Sequence, residues 1–213
     1  MQKFNTMKKF LFTSTLALAL VSLSLFQSCR KDDTQAPVIS IIGNNPMTVY
    51  LGTAFNDPGA TATDNEDGTV SVSVLGSVDA TTAHSYVLTY SAIDDAGNSS
   101  AANRVVKVVM TRSNYIWSGY QAADTCTTNS TIGPFAYPGN IAVGSGTDSV
   151  IISQFRGLGN CYATVNANVI VIPLQTIGTI TVSGSGTMNN KANKLTLNYS
   201  DGTDNFTAVL TKQ

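Results

Sequence analysis

From about residue 36 the chain is written almost entirely in short alternations of apolar and polar residues. "PVISII", "MTVYL", "VSVSVLG", "SYVLTYSAI" and "RVVKVVM" are β-branched and step with a period of two, and clusters of Gly, Asn and Asp separate them. Such a period places successive side chains on opposite faces of a strand. No window after residue 30 repeats at helical spacing. The strands recur at sandwich-like intervals up to Arg112. "TRSN" then interrupts, and a second set begins at "YIWSGY". The pattern predicts an all-β chain in two modules, residues 35–111 and 115–213. "NIAVG", "SVIISQF", "CYATVNANVIVIPLQ", "GTITVSGSG", "NKLTLNYSDG" and "NFTAVLTK" follow one another through short turns in the second module. They predict an antiparallel meander, which closes into a barrel or packs as a second sandwich.

One stretch breaks the alternation. From Phe10 to Phe26 the chain is apolar or small and uncharged, preceded by Lys8 and Lys9 and ended by "QSCRKDD". The length and flanks describe a secretory leader over residues 1–28, with an uncleaved N-terminal anchor as the alternative. Leu25-Phe26-Gln27-Ser28-Cys29 resembles a bacterial lipobox. The resemblance implies cleavage before Cys29 and acylation of that residue, and several acyl chains on one residue anchor stably. Arg30-Lys31-Asp32-Asp33, within the tether 29–34, resembles the export signal of Bacteroidetes surface lipoproteins. That implies an outer-membrane protein facing outward, against the alternative of a charged tether inside the periplasm.

Charge adds an exclusion. Loss of Lys3, Lys8 and Lys9 with the leader leaves 9 basic against 13 acidic residues, a net −4. No basic patch points to nucleic acid.

"APVISIIG", then "DPGATATDNEDGTVSVSVLGSVD", then "YVLTYSAIDDAGNSSAANRVVKVV" resembles the Ig-like domain of bacterial surface proteins, related to hyalin repeats. The resemblance implies a β-sandwich used as spacer or adhesion module, and no catalysis. The order of motifs from "GYQAADTC" to "FTAVLTK" resembles small lipocalin-like domains of Bacteroidetes lipoproteins.

Candidate chemistry is sparse. His84 is the one histidine and Glu66 the one glutamate, so neither a nucleophile–base pair nor two facing carboxylates assemble readily. Zinc-ligand spacing and phosphate-binding glycine loops are missing too. The chain is read as no enzyme, with no cofactor. Asp64, Glu66 and Asp67 form the richest acidic cluster and are the candidate ligands for calcium; the alternative is that they cap loop N–H groups. Tyr115, Trp117 and Tyr120 are the candidate ligand-binding aromatics, for a glycan above all, with core packing as the alternative. Tyr115 and Trp117 share one strand face and Tyr120 takes the other, so a bulge is needed before all three meet. With Cys29 lipidated, Cys126 and Cys161 form an even pair outside the cytoplasm and are expected to be a disulfide. Partners are the outer membrane through the lipid, and a glycan or an outer-membrane protein. The expected function is a surface-anchored ligand-binding protein on an Ig-like spacer; the alternative is a structural or protein-interaction subunit.

Overall fold

The structure, a computed structural model, describes residues 32–213. The leader, Cys29 and the lipidation expected there lie outside the described residues, as do Arg30 and Lys31. The fold is all-β, an Ig-like pair of sheets followed by an eight-stranded barrel.

The first module holds β1 (Val38–Ile41), β2 (Met47–Tyr50), β3 (Ala60–Asp64), β4 (Gly68–Val70), β5 (Val72–Leu75), β6 (Ser85–Ile93) and β7 (Ser99–Val109). One sheet has the order β1-β3-β4 and the other β2-β7-β6-β5, with β2 parallel to β7. The alternation seen in "SYVLTYSAI" buries Leu88, Tyr90 and Ala92 and turns the residues between them outward. Val49, Leu88, Tyr90, Val106 and Val108 form a small core. Arg104 shares the inward face of β7 and is fully buried. Its Nη1 donates to the Asn44 carbonyl at 2.8 Å, and its Nη2 donates to those of Ile42 at 2.6 Å and Gly59 at 3.0 Å. Its Nε donates to the Tyr90 hydroxyl at 2.9 Å. One side chain thereby pairs three loop carbonyls, of which only that of Gly59 has a backbone donor as well, the Ile42 N–H at 3.0 Å.

A short 3-10 turn, Arg112–Tyr115, leads into β8 (Trp117–Cys126), β9 (Phe135–Val143), β10 (Ser149–Phe155), β11 (Gly159–Asn166), β12 (Val169–Ile177), β13 (Ile180–Met188), β14 (Lys194–Ser200) and β15 (Asn205–Lys212). Each pairs antiparallel with its chain neighbour, and β15 pairs with β8 to close the barrel. Of the two arrangements open to the meander, the closed one forms. Closure removes both sheet edges. The barrel axis is filled by side chains: Trp117, Tyr120, Phe155, Ile152, Ile170, Leu197, Phe206 and others are each 2% exposed or less. Large residues face small ones across strands, with Tyr199 opposite Gly184 and Leu197 opposite Gly186. A Cβ at either glycine would collide with the β14 backbone, so β13 lies against β14 more closely than any side chain there permits.

Candidate functional site

The two modules meet at one end of the barrel. Leu51 and Ala83 of the Ig-like module pack on the barrel core, and the Ala83 N–H donates to the Asn190 carbonyl at 2.8 Å. Tyr115 closes this end by donating to the Ala167 carbonyl at 3.0 Å, and Trp117 Nε1 donates to the Asn114 carbonyl at 3.1 Å. The β9–β10, β11–β12 and β13–β14 turns gather here. The β8–β9, β10–β11, β12–β13 and β14–β15 turns gather at the far rim.

The three candidate aromatics do come together, but in the core. A register shift between Trp117 and Tyr120 turns Tyr120 inward beside Trp117. Tyr115, Trp117 and Tyr120 are 0%, 1% and 1% exposed. The bulge they needed exists and serves packing, so no ligand stacks on them from solvent.

The acidic cluster is regrouped. Asp64, Asp33 and Asp94 bring one carboxylate oxygen each within 4.8 Å of one another, where the N-terminal segment meets the loop after β6. Asp64 Oδ1 caps the N–H groups of Glu66 and Asp67 at 2.9 and 3.2 Å, the alternative role set out for this loop. The Asp67 carboxylate accepts the Asp95 N–H at 2.7 Å. The acids whose oxygens lie together are thus Asp64, Asp33 and Asp94, while Glu66 and Asp67 follow Asp64 in the loop. Asp33 and Asp94 lie far from Asp64 in sequence, and only the sheet topology brings them together.

The expected disulfide is absent: Cys126 and Cys161 are free and buried. Both point into the barrel, on β8 and β11, with β9 and β10 between them. Three inter-strand spacings of ~4.8 Å make an arc of about 14 Å, against the ~7 Å limit between bridged Cα atoms. The number of cysteines and their compartment do not specify which strands carry them. Burial pushes the Cys161 thiol up to about 12. Residues 30–213, unfolded without reductant, should titrate two thiols and keep the same intact mass when reductant is added. A single mass increase of two hydrogens on reduction would restore the bridge.

The far rim holds a constellation that no motif announced. Asp124, on the inward face of β8, is fully buried. The Tyr199 hydroxyl donates to its Oδ2. Arg156, in the β10–β11 turn, reaches over it and also pairs with Asp201 at 3.1 Å. Burial raises the Asp124 carboxyl above its ordinary value, and the Tyr199 bond and Arg156 pull it part of the way back. Burial also pushes Asp201 up, but the N–H groups of Asp204 and Thr203 and the Arg156 guanidinium outweigh it and leave Asp201 lowered. The single histidine is elsewhere. His84 borders a 380 Å³ cleft at the module junction with Lys107, Asn168 and Asn190, and no carboxylate lines that cleft.

Comparison with known proteins finds a likeness for the first module. Residues 39–108 match the family described as bacterial surface protein, Ig-like domain. No curated protein matches the chain. Among solved structures, a lipoprotein from Bacteroides thetaiotaomicron is 20% identical and covers 83% of this chain and 100% of its own, with a TM-score of 0.34. A structure of CBM51-2 in complex with GlcNAc and INT domains from Clostridium perfringens ZmpB is 13% identical. It covers 83% of this chain and 44% of its own, with a TM-score of 0.31. The first module is thus similar to the Ig-like domain of bacterial surface proteins, and it is joined to a closed barrel.

Proposed function

We propose that this chain is a non-catalytic, lipid-anchored protein of the outer-membrane surface, in which the Ig-like module is a spacer and the barrel engages its partner at the far rim. One observation carries the reading. The N-terminal segment is held at one end of the Ig-like module, where Asn98 Nδ2 donates to the Asp33 carbonyl at 3.2 Å. The barrel docks at the other end, through Leu51 and Ala83. The free rim is therefore the part of the molecule farthest from the proposed anchor. The non-catalytic reading is supported by the separation of His84 from the buried Asp124. A protein partner is favoured by the filled barrel and the inward aromatics, which leave the interior no room for a ligand.

A glycan is the second reading, favoured by a 310 Å³ groove on the barrel wall. Ser183, Ser185, Asn198, Asn205 and Thr207 line it with uncharged hydroxyl and amide groups suited to sugar hydroxyls. Retained binding on a glycan array would select this reading.

The display reading is tested with an epitope between Ser130 and Thr131 in the full-length chain. Antibody should label it on intact cells, and replacing Arg30-Lys31-Asp32-Asp33 by Ala should shield it while the protein stays membrane-bound. Protection of the epitope in the parent protein would sink the surface reading.

A further inference from the structure

At the far rim Arg156 occupies a cage suited to a planar cation and satisfies it poorly. Its guanidinium carbon lies 4.2 Å from the Phe206 ring centroid and 4.8 Å from that of Phe135. Its Nη1 donates to Asp201 Oδ2 at 3.1 Å. The floor of the cage is less well served. Nε stands 3.6 Å from Asp124 Oδ2, beyond hydrogen-bond length, and the Tyr199 hydroxyl already uses that oxygen. Asp124 Oδ1 has no partner although the residue is 0% exposed. Buried polar atoms are rarely left this way without a reason in the site. The irregular end of β10 and the turn after it hold Gln154 at φ +54° and Arg156 at φ +51°, conformations that disfavour residues other than glycine.

We propose that this rim is a guanidinium-binding cage, filled in the resting chain by Arg156 and taken over by an arginine side chain of a polypeptide partner. Arg156 spends Nη1 on Asp201 and offers Asp124 only a distant Nε. A guanidinium free of the β10–β11 turn can set two parallel N–H groups on Asp124 Oδ1 and Oδ2, the fork that carboxylates bind most strongly. Phe135 and Phe206 provide two aromatic rings within cation–π reach of that position, and stacking on such faces favours Arg over Lys. The exchange leaves the charge of the cage unchanged, with one cation replacing another against Asp124 and Asp201. Phe135 is 38% exposed, which leaves that wall accessible from solvent. This inference rests on the partner reading above and names the chemistry of that contact.

The test is titration of residues 30–213 with argininamide and with citrullinamide, its neutral isostere, followed by calorimetry and by the amide spectrum of the rim. Saturable one-to-one binding of argininamide is expected, with citrullinamide at least about tenfold weaker. Removing the resident competitor raises the binding-competent fraction, so Arg156→Gln should bind argininamide at least about tenfold more tightly. Phe135→Leu keeps Arg156 but removes one wall, and should lose binding with an unchanged circular dichroism spectrum. If Arg156→Gln does not fold, Phe135→Leu decides the matter alone. Equal binding of citrullinamide, or a folded Arg156→Gln protein that binds no tighter than the parent, overturns the cage. Glucosamine binding as well as argininamide would overturn its assignment to a guanidinium. The titration is done in solution, so it stands or falls separately from the epitope experiment on cells.

Discussion

Replacing Arg104 by Met should destabilise the Ig-like module by about 3–5 kcal/mol, the usual cost of removing one member of a buried charged network. Four hydrogen bonds end on this guanidinium, at Ile42, Asn44, Gly59 and Tyr90, and Asp57 lies 3.4 Å from its Nε. Met matches much of the volume and supplies none of the donors. The Ile42 and Asn44 carbonyls then lose the donor that pairs them, the Gly59 carbonyl keeps only the Ile42 N–H, and Asp57 keeps its charge with the Tyr90 hydroxyl and the Gly59 N–H but no cation beside it. A domain whose whole stability is about 5–15 kcal/mol gives up a large share of it. The chain's single tryptophan, Trp117, sits in the barrel, so its fluorescence follows barrel unfolding alone. Urea titration should show the far-ultraviolet dichroism losing an early component while the Trp117 transition stays in place. Arg104→Lys should behave nearly as badly, because one ammonium cannot reach carbonyls on separate loops and the tyrosine together. A loss below about 1 kcal/mol in Arg104→Met would show that water replaces the guanidinium.

The fold class and the division into modules were legible because both rest on short-range patterns. Period-two alternation in "SYVLTYSAI" and "NKLTLNYS" states which residues turn inward whatever the neighbouring strand is. The same pattern held a further signal. In "NRVVKVV" it puts Arg104 on the face of Val106 and Val108, and in "YQAADTC" it puts Asp124 on the face of Ala122 and Cys126. A charge on an apolar face needs a buried partner, so both networks were foreshadowed. Their partners were not. Arg156 meets Asp124 only because the β10–β11 turn and the end of β8 reach one rim after the barrel closes. The cysteines failed for the same reason. Their number and compartment are local facts, but whether two thiols meet depends on strand order, which alternation does not encode. Asp64 found Asp33 and Asp94 across the module in the same way.

Trp117→Ala should cost the barrel about 3–5 kcal/mol, as large-to-small changes at full burial do. Trp117 is 1% exposed and stands at the end of the barrel that meets the Ig-like module. Its indole fills the space beneath the 3-10 turn and ties Asn114 to β8 through Nε1. Truncation leaves a cavity that neighbouring strands, held in register by closure, cannot collapse to fill. Trp117→Phe should be milder, losing some volume and the Asn114 bond, a net contribution of about 1 kcal/mol. The measurement is thermal unfolding followed by dichroism, since the variants lack the fluorophore. The pair of variants also separates two roles for this residue. A tryptophan on a binding face would show lost affinity with stability intact. A tryptophan in the core shows the reverse: Trp117→Phe keeps the rim's affinity for argininamide while its melting temperature falls, because the rim and Trp117 lie at opposite ends of the barrel. An unchanged melting temperature in Trp117→Ala would place the indole outside the core and return it to the list of contact residues.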